Sequence, residues 1–417
     1  MMKTRSGGNS NDGGENMRVL RIAHSSLTPE LRQRERALAR RYPDVELELV
    51  TTERWREAEM EVDATPDDLF PVRTARSYLS KHIQLFAYDP RPIIQALREH
   101  RPHLIDLGHE PYSVAGAEVL TLCRWFAPNV PIVMQTNQNI LHNYPPPFRW
   151  LEQRAFRRVD AAYGCSETVC EVLRAKGFSK LAPVVPFGVD TEAFRPQPEG
   201  GVRPNQLLTI GYIGRMLPGK GLNVLADALA KIKGEAWQLL VVGDGSEREA
   251  FEQQLRAAGL SDRAVFTGAI SFDQVPQYFH RLAVMVIPTE TTKRIREQFG
   301  RVIVEAMASG VPVIGSTCGA IPEVIGEAGL VFPEGDASAL ADALQRLLGD
   351  EALRAQLALA GRKRVEHYSW DQVAEKTHEL FRRVLDNREK PATKRSLAGA
   401  QVATLGCAIM SVLDCLV

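Results

Sequence analysis

None of the six cysteines (Cys123, Cys165, Cys170, Cys318, Cys407, Cys415) lies in a C-x-x-C pair. Free thiols in a reducing cytoplasm are therefore expected. No charge is in excess: 51 basic residues face 51 acidic ones. That balance gives no global argument for a nucleic-acid partner or an anionic surface, and only local patches could supply one. No long apolar run follows the N-terminus, so no signal peptide is expected and the location read from the sequence is cytoplasmic. Neither "GYIGRM" nor "GDGSER" has the form G-x-G-x-x-G, which removes a dinucleotide oxidoreductase.

What is present is a long alternation. The 417 residues are 44% hydrophobic, enough for sizeable cores in about two or three domains. Residues 1–16 are polar and glycine-rich and are expected to be disordered. From Arg18 onward, apolar strands ("VLRIAHSS", "VELELVT", "HLIDLGHE", "VPIVMQTN") alternate with helical patterns ("ELRQRERALARRY", "IIQALREHR"). Around 195–205, prolines and glycines break the pattern and read as a linker. It then restarts with "LLTIGYIGR", "WQLLVVGDG", "AVFTGAI", "VMVIPTE" and "VPVIGST", with helices between. This predicts an α/β protein of two doubly wound, Rossmann-like domains, with ligands at the carboxyl ends of the strands and a site in the cleft between the domains.

Two segments carry chemistry. "GRMLPGKG", residues 214–221, has Gly214, Gly219 and Lys220 at the spacing of a P-loop, but Gly221 stands where that loop needs a hydroxyl for Mg²⁺. At the end of a strand and the start of a helix, its amides favour phosphate, and Arg215 and Lys220 add two cations. The loop therefore reads as a diphosphate site built on side-chain cations. An ordinary glycine-rich turn is the plain alternative. In "EQFGRVIVEAMASGVPVIGSTCGAIPEV", residues 297–324, Glu297 and Glu305 are eight positions apart. A helix starting near Gly300 would leave Glu297 in the loop before it and Glu305 in the second turn, among apolar neighbours, where a carboxylate needs a partner. The plain reading is a helix with one solvated glutamate.

Taken in order, "GYIGRMLPGKG", "VVGDG", the E-x₇-E segment and "GLVFPEGD" resemble the retaining nucleotide-sugar glycosyltransferases of family four, and "VVPFGVDTEAFRP" at 184–196 resembles the family's hinge. The resemblance implies the GT-B fold, with two Rossmann-like domains facing a central cleft and C-terminal helices crossing back to the first domain. The implied division is an acceptor-side domain over 17–195, a donor domain over 206–365, a crossover helix over 366–387, and a basic then apolar tail over 388–417. It further implies that Arg215 and Lys220 hold the donor diphosphate, Glu297 the hexose, and Glu305 the ribose. Gly214, Phe299, Gly300 and Arg301 would line the phosphate and sugar, and Gly268 the base. A nucleoside-diphosphate sugar would be co-substrate, with no other cofactor. The acceptor would be a hydroxyl of a glycan, a lipid-linked or a small molecule. No D-x-D motif ends a strand, so no metal is implied. The first domain departs from the family: "HSSLTPEL" has no glycine-rich loop after the first strand, and Asn137 stands near the place of a frequent histidine. Ser25, Ser26, His109 and Asn137 are the acceptor-side candidates. A non-hydrolysing sugar-nucleotide epimerase would not need E-x₇-E, and an inactive binding protein would be expected to lose Glu297, Arg215 or Lys220.

Two other stretches bear on membranes. "PPPFRWLEQRAFRRVD", 145–160, combines four arginines with Phe148, Trp150, Leu151 and Phe156. An ordinary surface helix is favoured over one that presses on the inner face of a membrane. The Ala/Gly-rich segment from Ser396 contains Gln401 and Asp414 and reads as a weak apolar tail or peripheral contact, not a span.

Overall fold

A computed structural model describes residues 16–57, 60–197 and 207–389. Most of the expected linker and the tail beyond residue 389 lie outside these, as do residues 1–15 of the expected N-terminal tail.

Six parallel strands form the first sheet: β1 (Met17–Ala23), β2 (Val45–Thr52), β3 (Val72–Ala75), β4 (Leu104–Gly108), β5 (Ile132–Gln135) and β6 (Ala161–Tyr163). Six more form the second: β7 (Leu208–Ile213), β8 (Trp237–Val242), β9 (Ala264–Phe266), β10 (Val284–Ile287), β11 (Val313–Ser316) and β12 (Gly329–Phe332). The spatial order is β3-β2-β1-β4-β5-β6 in one and β9-β8-β7-β10-β11-β12 in the other. Both are the doubly wound order. Each has a switch point where the winding reverses, between β1 and β4 and between β7 and β10, and ligands bind outside the strand ends there. The central strands are mostly apolar because helices cover both faces; β10 is buried at every position.

The sequence reading missed β3, β6 and β12. The first is a short edge strand with polar residues ("VRTA"), the second is three residues long and the third is a four-residue edge strand, so none carries a clear period. It also missed two antiparallel pairs, Arg54–Glu57 with Met60–Asp63 and Ser77–Tyr78 with Ala87–Tyr88.

The hinge and the crossover tie the domains together. Phe194, in the hinge segment, is buried against Phe279 of the second domain. After the turn Glu366–Tyr368, the helix Trp370–Glu389 returns to the first domain. It buries Val373, Ala374, Leu380, Phe381 and Val384 there, stacks His378 on Tyr42, and pairs Arg388 with Asp160 at 2.8 Å. The helix Phe148–Arg158 has a packed face, with Ala155 buried and Phe156 against Phe178, while Trp150 is exposed. Among the described residues no helix is long and apolar enough to cross a membrane.

Candidate functional site

The second switch point holds the glycine-rich loop. After β7 the chain turns at Gly214 and runs backbone-to-backbone against the turn after β8. A Cβ on Gly243 would sit 2.1 Å from the Gly214 carbonyl oxygen, and one on Gly245 2.2 Å from that of Met216. This close approach accounts for "VVGDG" as a packing motif, and Asp244 pairs with Arg248 at 3.0 Å. Gly221 answers the question raised by the failed P-loop. It caps the helix Leu222–Lys231 in the left-handed conformation (φ +69°), and a Cβ there would lie 1.8 Å from the Pro288 carbonyl oxygen. No hydroxyl-bearing residue fits, so the loop is a different structure from a P-loop.

The E-x₇-E segment faces this loop. The helix Arg301–Ala308 starts after Gly300, which is also left-handed (φ +80°), and Glu297 lies in the preceding loop as expected. Neither glycine-started helix has a side-chain cap. Two helix N-termini therefore point uncapped amides at the same switch point, an arrangement suited to an anion. Lys220 Nζ lies 2.8 Å from Glu297 Oε2. Arg215 is exposed and has no ion-pair partner among the described residues. Glu305 is 8% exposed; Arg301, 3.8 Å away, is its ion-pair partner. Burial pushes the Glu305 carboxyl above its ordinary range and Arg301 only partly offsets this. Phe299 is a core residue, its side chain packed against Phe187 and Tyr368. Gly268 (φ +72°) accepts a hydrogen bond from Gly243 N–H and faces the Asp244–Arg248 pair.

At the first switch point lies a cavity of about 490 Å³. Ser25, Ser26, His109 and Asn137 all line it. Ser25 is exposed, while Ser26 is buried and its carbonyl is held by Arg32. His109 hydrogen-bonds Tyr88 and stacks on His24 at 5.2 Å. Burial, His24 and Arg21 push its imidazole well below the ordinary value, so it is neutral. Burial and then Arg21 lower His24 to about 4. Asn137 N–H binds the half-buried Glu110 carboxylate, which also takes the Thr136 hydroxyl, while Asn137 Oδ1 is buried without a partner. The floor is a network the sequence reading missed: Arg21 and Arg34 both pair with Glu35 and Asp106, at 2.6 to 3.2 Å. A signal was available, since Arg21 and Asp106 are charges within strands otherwise apolar enough to be buried on both faces.

The two sites meet along one edge. The cavity reaches the second domain at Gln298 and Arg301, next to Glu297. Asn139, in the loop after β5, crosses the same gap: its Nδ2 donates to the carbonyls of Glu297 (2.8 Å) and Arg296 (3.2 Å). Lys220 and Glu297 thus meet at the second switch point, with Glu305 in the helix that follows, and the four acceptor-side candidates gather at the first.

Two protein-family models match the chain: Glycosyltransferase Family 4 over residues 34–193 and Glycosyl transferases group 1 over residues 208–350. A phosphatidyl-myo-inositol mannosyltransferase from Mycobacterium leprae is 34% identical over 49% of this chain and 54% of its own length. The matched stretch thus spans about half the length of that relative. A D-inositol 3-phosphate glycosyltransferase from Stackebrandtia nassauensis is 26% identical over 73% of this chain and 75% of its own length. Among solved structures, Anabaena HepE in complex with UDP superposes with a TM-score of 0.69 at 19% identity, over 88% of this chain and all of that one.

Proposed function

Because the chain belongs to the family four, group 1 glycosyltransferases, we propose that it moves a hexose from a nucleoside-diphosphate sugar to a hydroxyl of a glycan, lipid-linked or small-molecule acceptor, with retention at the anomeric carbon and without a metal ion. The observation that carries this reading is the Lys220–Glu297 pair, which joins the glycine-rich loop to the E-x₇-E segment at a switch point bordered by two uncapped helix starts. Arg215, Lys220 and the helix N-termini would stabilise the departing diphosphate as negative charge collects on it. Glu297 would hold the hexose, and its carboxylate favours the positive charge that develops at the anomeric carbon. Glu305 would accept from the ribose hydroxyls, and the Gly268 backbone would meet the base. The acceptor hydroxyl would enter from the first-domain cavity. Its oxygen bonds to the anomeric carbon on the face the diphosphate leaves, the carbon–oxygen bond to phosphate breaks, and the leaving phosphate oxygen takes the acceptor proton. Asn137 cannot serve as a base at neutral pH, which suits a step that needs none from the protein. A reducing cytoplasm would suit the buried free thiols Cys123, Cys165, Cys170 and Cys318.

The test is a thermal-shift panel of UDP-, GDP- and ADP-hexoses, followed by transfer assays with and without EDTA. A true donor at a hundred times its Kd adds about 2.7 kcal/mol to stability. One donor class is expected to stabilise the protein and to be turned over in EDTA. No stabilisation by any nucleotide sugar would defeat the reading; activity lost in EDTA and restored by Mg²⁺ or Mn²⁺ would defeat its metal-free part.

A further inference from the structure

We propose that Asn139 is a positioning residue that fixes Glu297 from the opposite domain, so that the donor carboxylate is set only while the two domains face each other. This rests on the reading of Glu297 as the hexose-binding group. Asn139 is 1% exposed. Its amide nitrogen carries two hydrogens, and both go to consecutive carbonyls of the E-x₇-E loop, those of Arg296 and Glu297. The contact is reciprocal, since Arg296 Nη1 donates to the Asn139 carbonyl at 3.1 Å.

The second domain holds the Glu297 backbone from its other side. The Glu297 carbonyl also accepts from Ala320 N–H at 3.0 Å, and Gly319 packs so closely that a Cβ there would lie 2.1 Å from that oxygen. Asn139 closes this grip from the first domain, one bond away from the residue whose carboxylate pairs with Lys220.

The loop that carries Asn139 is itself stiff. Thr136 and the Asn137 N–H are bound to Glu110, Gln138 Nε2 donates to the Tyr144 hydroxyl at 2.7 Å, and Ile140 N–H donates to Gln138 Oε1 at 3.1 Å. Asn137 and Glu110 are cavity-wall residues. One short loop thus touches the acceptor-side cavity at Asn137 and the donor carboxylate's backbone at Asn139. A primary amide suits this place. An aspartate would set lone pairs against two carbonyl oxygens, and alanine would take the side-chain donor from both, leaving the Glu297 carbonyl held by Ala320 alone.

The experiment compares Asn139→Asp, and Arg296→Ala as a second variant acting from the other side, in wild-type and Glu297→Gln backgrounds. The readouts are transfer kinetics and calorimetry with free UDP or GDP, whichever matches the donor. Asn139→Asp is expected to lower kcat about tenfold to a hundredfold, because misplacing a positioned group by about 1 Å costs up to that much. UDP or GDP affinity should change less than about twofold, since that ligand carries no hexose. In the Glu297→Gln background the same substitution should cost less than about twofold, because coupled residues are not additive. Unchanged kcat, or equal losses in both backgrounds, would overturn the proposal. If the wild-type chain transfers no hexose from any nucleotide sugar, the functional reading has failed. The hold then stands or falls on small-angle scattering: Asn139→Asp is expected to enlarge the radius of gyration, and an unchanged radius overturns it.

Discussion

Lys220 and Glu297, 77 positions apart in the chain, meet at 2.8 Å where the strand order of the second domain reverses. One comes from the loop after β7 and the other from the loop before the helix Arg301–Ala308. In the proposed reaction Lys220 turns to the diphosphate while Glu297 turns to the hexose. Lys220→Ala or Arg215→Ala should therefore abolish most transfer and leave the fold intact. Losing one charge-assisted contact in a closed cleft costs about 2–5 kcal/mol, and here it would appear as lost kcat/KM. A well-folded Lys220→Ala protein, by circular dichroism and melting temperature, that turns over normally would contradict the diphosphate assignment.

The two glutamates should separate in calorimetry. Glu305→Gln is expected to weaken the free nucleoside diphosphate and the intact donor alike, by about 1.5–3 kcal/mol, the worth of a hydrogen bond to a charged group. Glu297→Gln should spare the free diphosphate and lose turnover. Equal loss of diphosphate binding in both would mean the roles are wrongly divided.

Glu305 also predicts a trade of stability against binding. Burial raises its pKa in the folded state, so the fold favours the neutral form. The penalty is fully present above the folded pKa and vanishes below the ordinary value near 4.5. Glu305→Gln, permanently neutral, should therefore melt higher than wild type at neutral pH. The advantage should shrink as pH falls through the folded pKa. A variant that melts lower at pH 7 would show that the ionised carboxylate has a stabilising partner.

Restoring the P-loop hydroxyl should do harm. Gly221→Ser forces a side chain into a left-handed position, about 1–2 kcal/mol unfavourable in itself, and drives its Cβ into the Pro288 carbonyl. Chemical denaturation should show a loss beyond that figure, and no Mg²⁺-dependent nucleotide hydrolysis should appear. Unchanged stability would mean that the Pro288 segment moves freely.

His24 gives an acid limit. Its folded pKa is lowered from 6.5 to about 4, so its contribution to stability is present above 6.5 and lost as pH falls toward 4. Within that window one extra proton bound by the unfolded chain tilts stability by about 1.4 kcal/mol per pH unit. In NMR titration the His24 ring should stay neutral at pH 5.5, and a midpoint near 6.5 would contradict its burial beside Arg21.

Much of this was legible in the sequence, for identifiable reasons. Parallel strands covered on both faces read as apolar runs, so β1, β2, β4, β5 and β7 to β11 stood out, and the helix start at Gly300 followed from glycine and the spacing of Glu297 and Glu305. β3, β6, β12 and the two small antiparallel pairs were too short or too polar to show a period. The Lys220–Glu297 contact could not be read, because it depends on which strands are neighbours. Nothing local marks Asn139, whose partners are backbone carbonyls of another domain. The Arg21, Arg34, Glu35 and Asp106 network was half visible, as charges inside buried strands.

The central claim is transfer with retention from a nucleoside-diphosphate sugar at the second-domain switch point. Its most direct test follows the anomeric proton by NMR while the wild-type protein turns over the donor that stabilises it most, with water standing in for the acceptor. The first sugar released, before mutarotation, should have the donor's own anomeric configuration, and Lys220→Ala should release almost none. A first product of inverted configuration, or equal release by Lys220→Ala, would contradict the account.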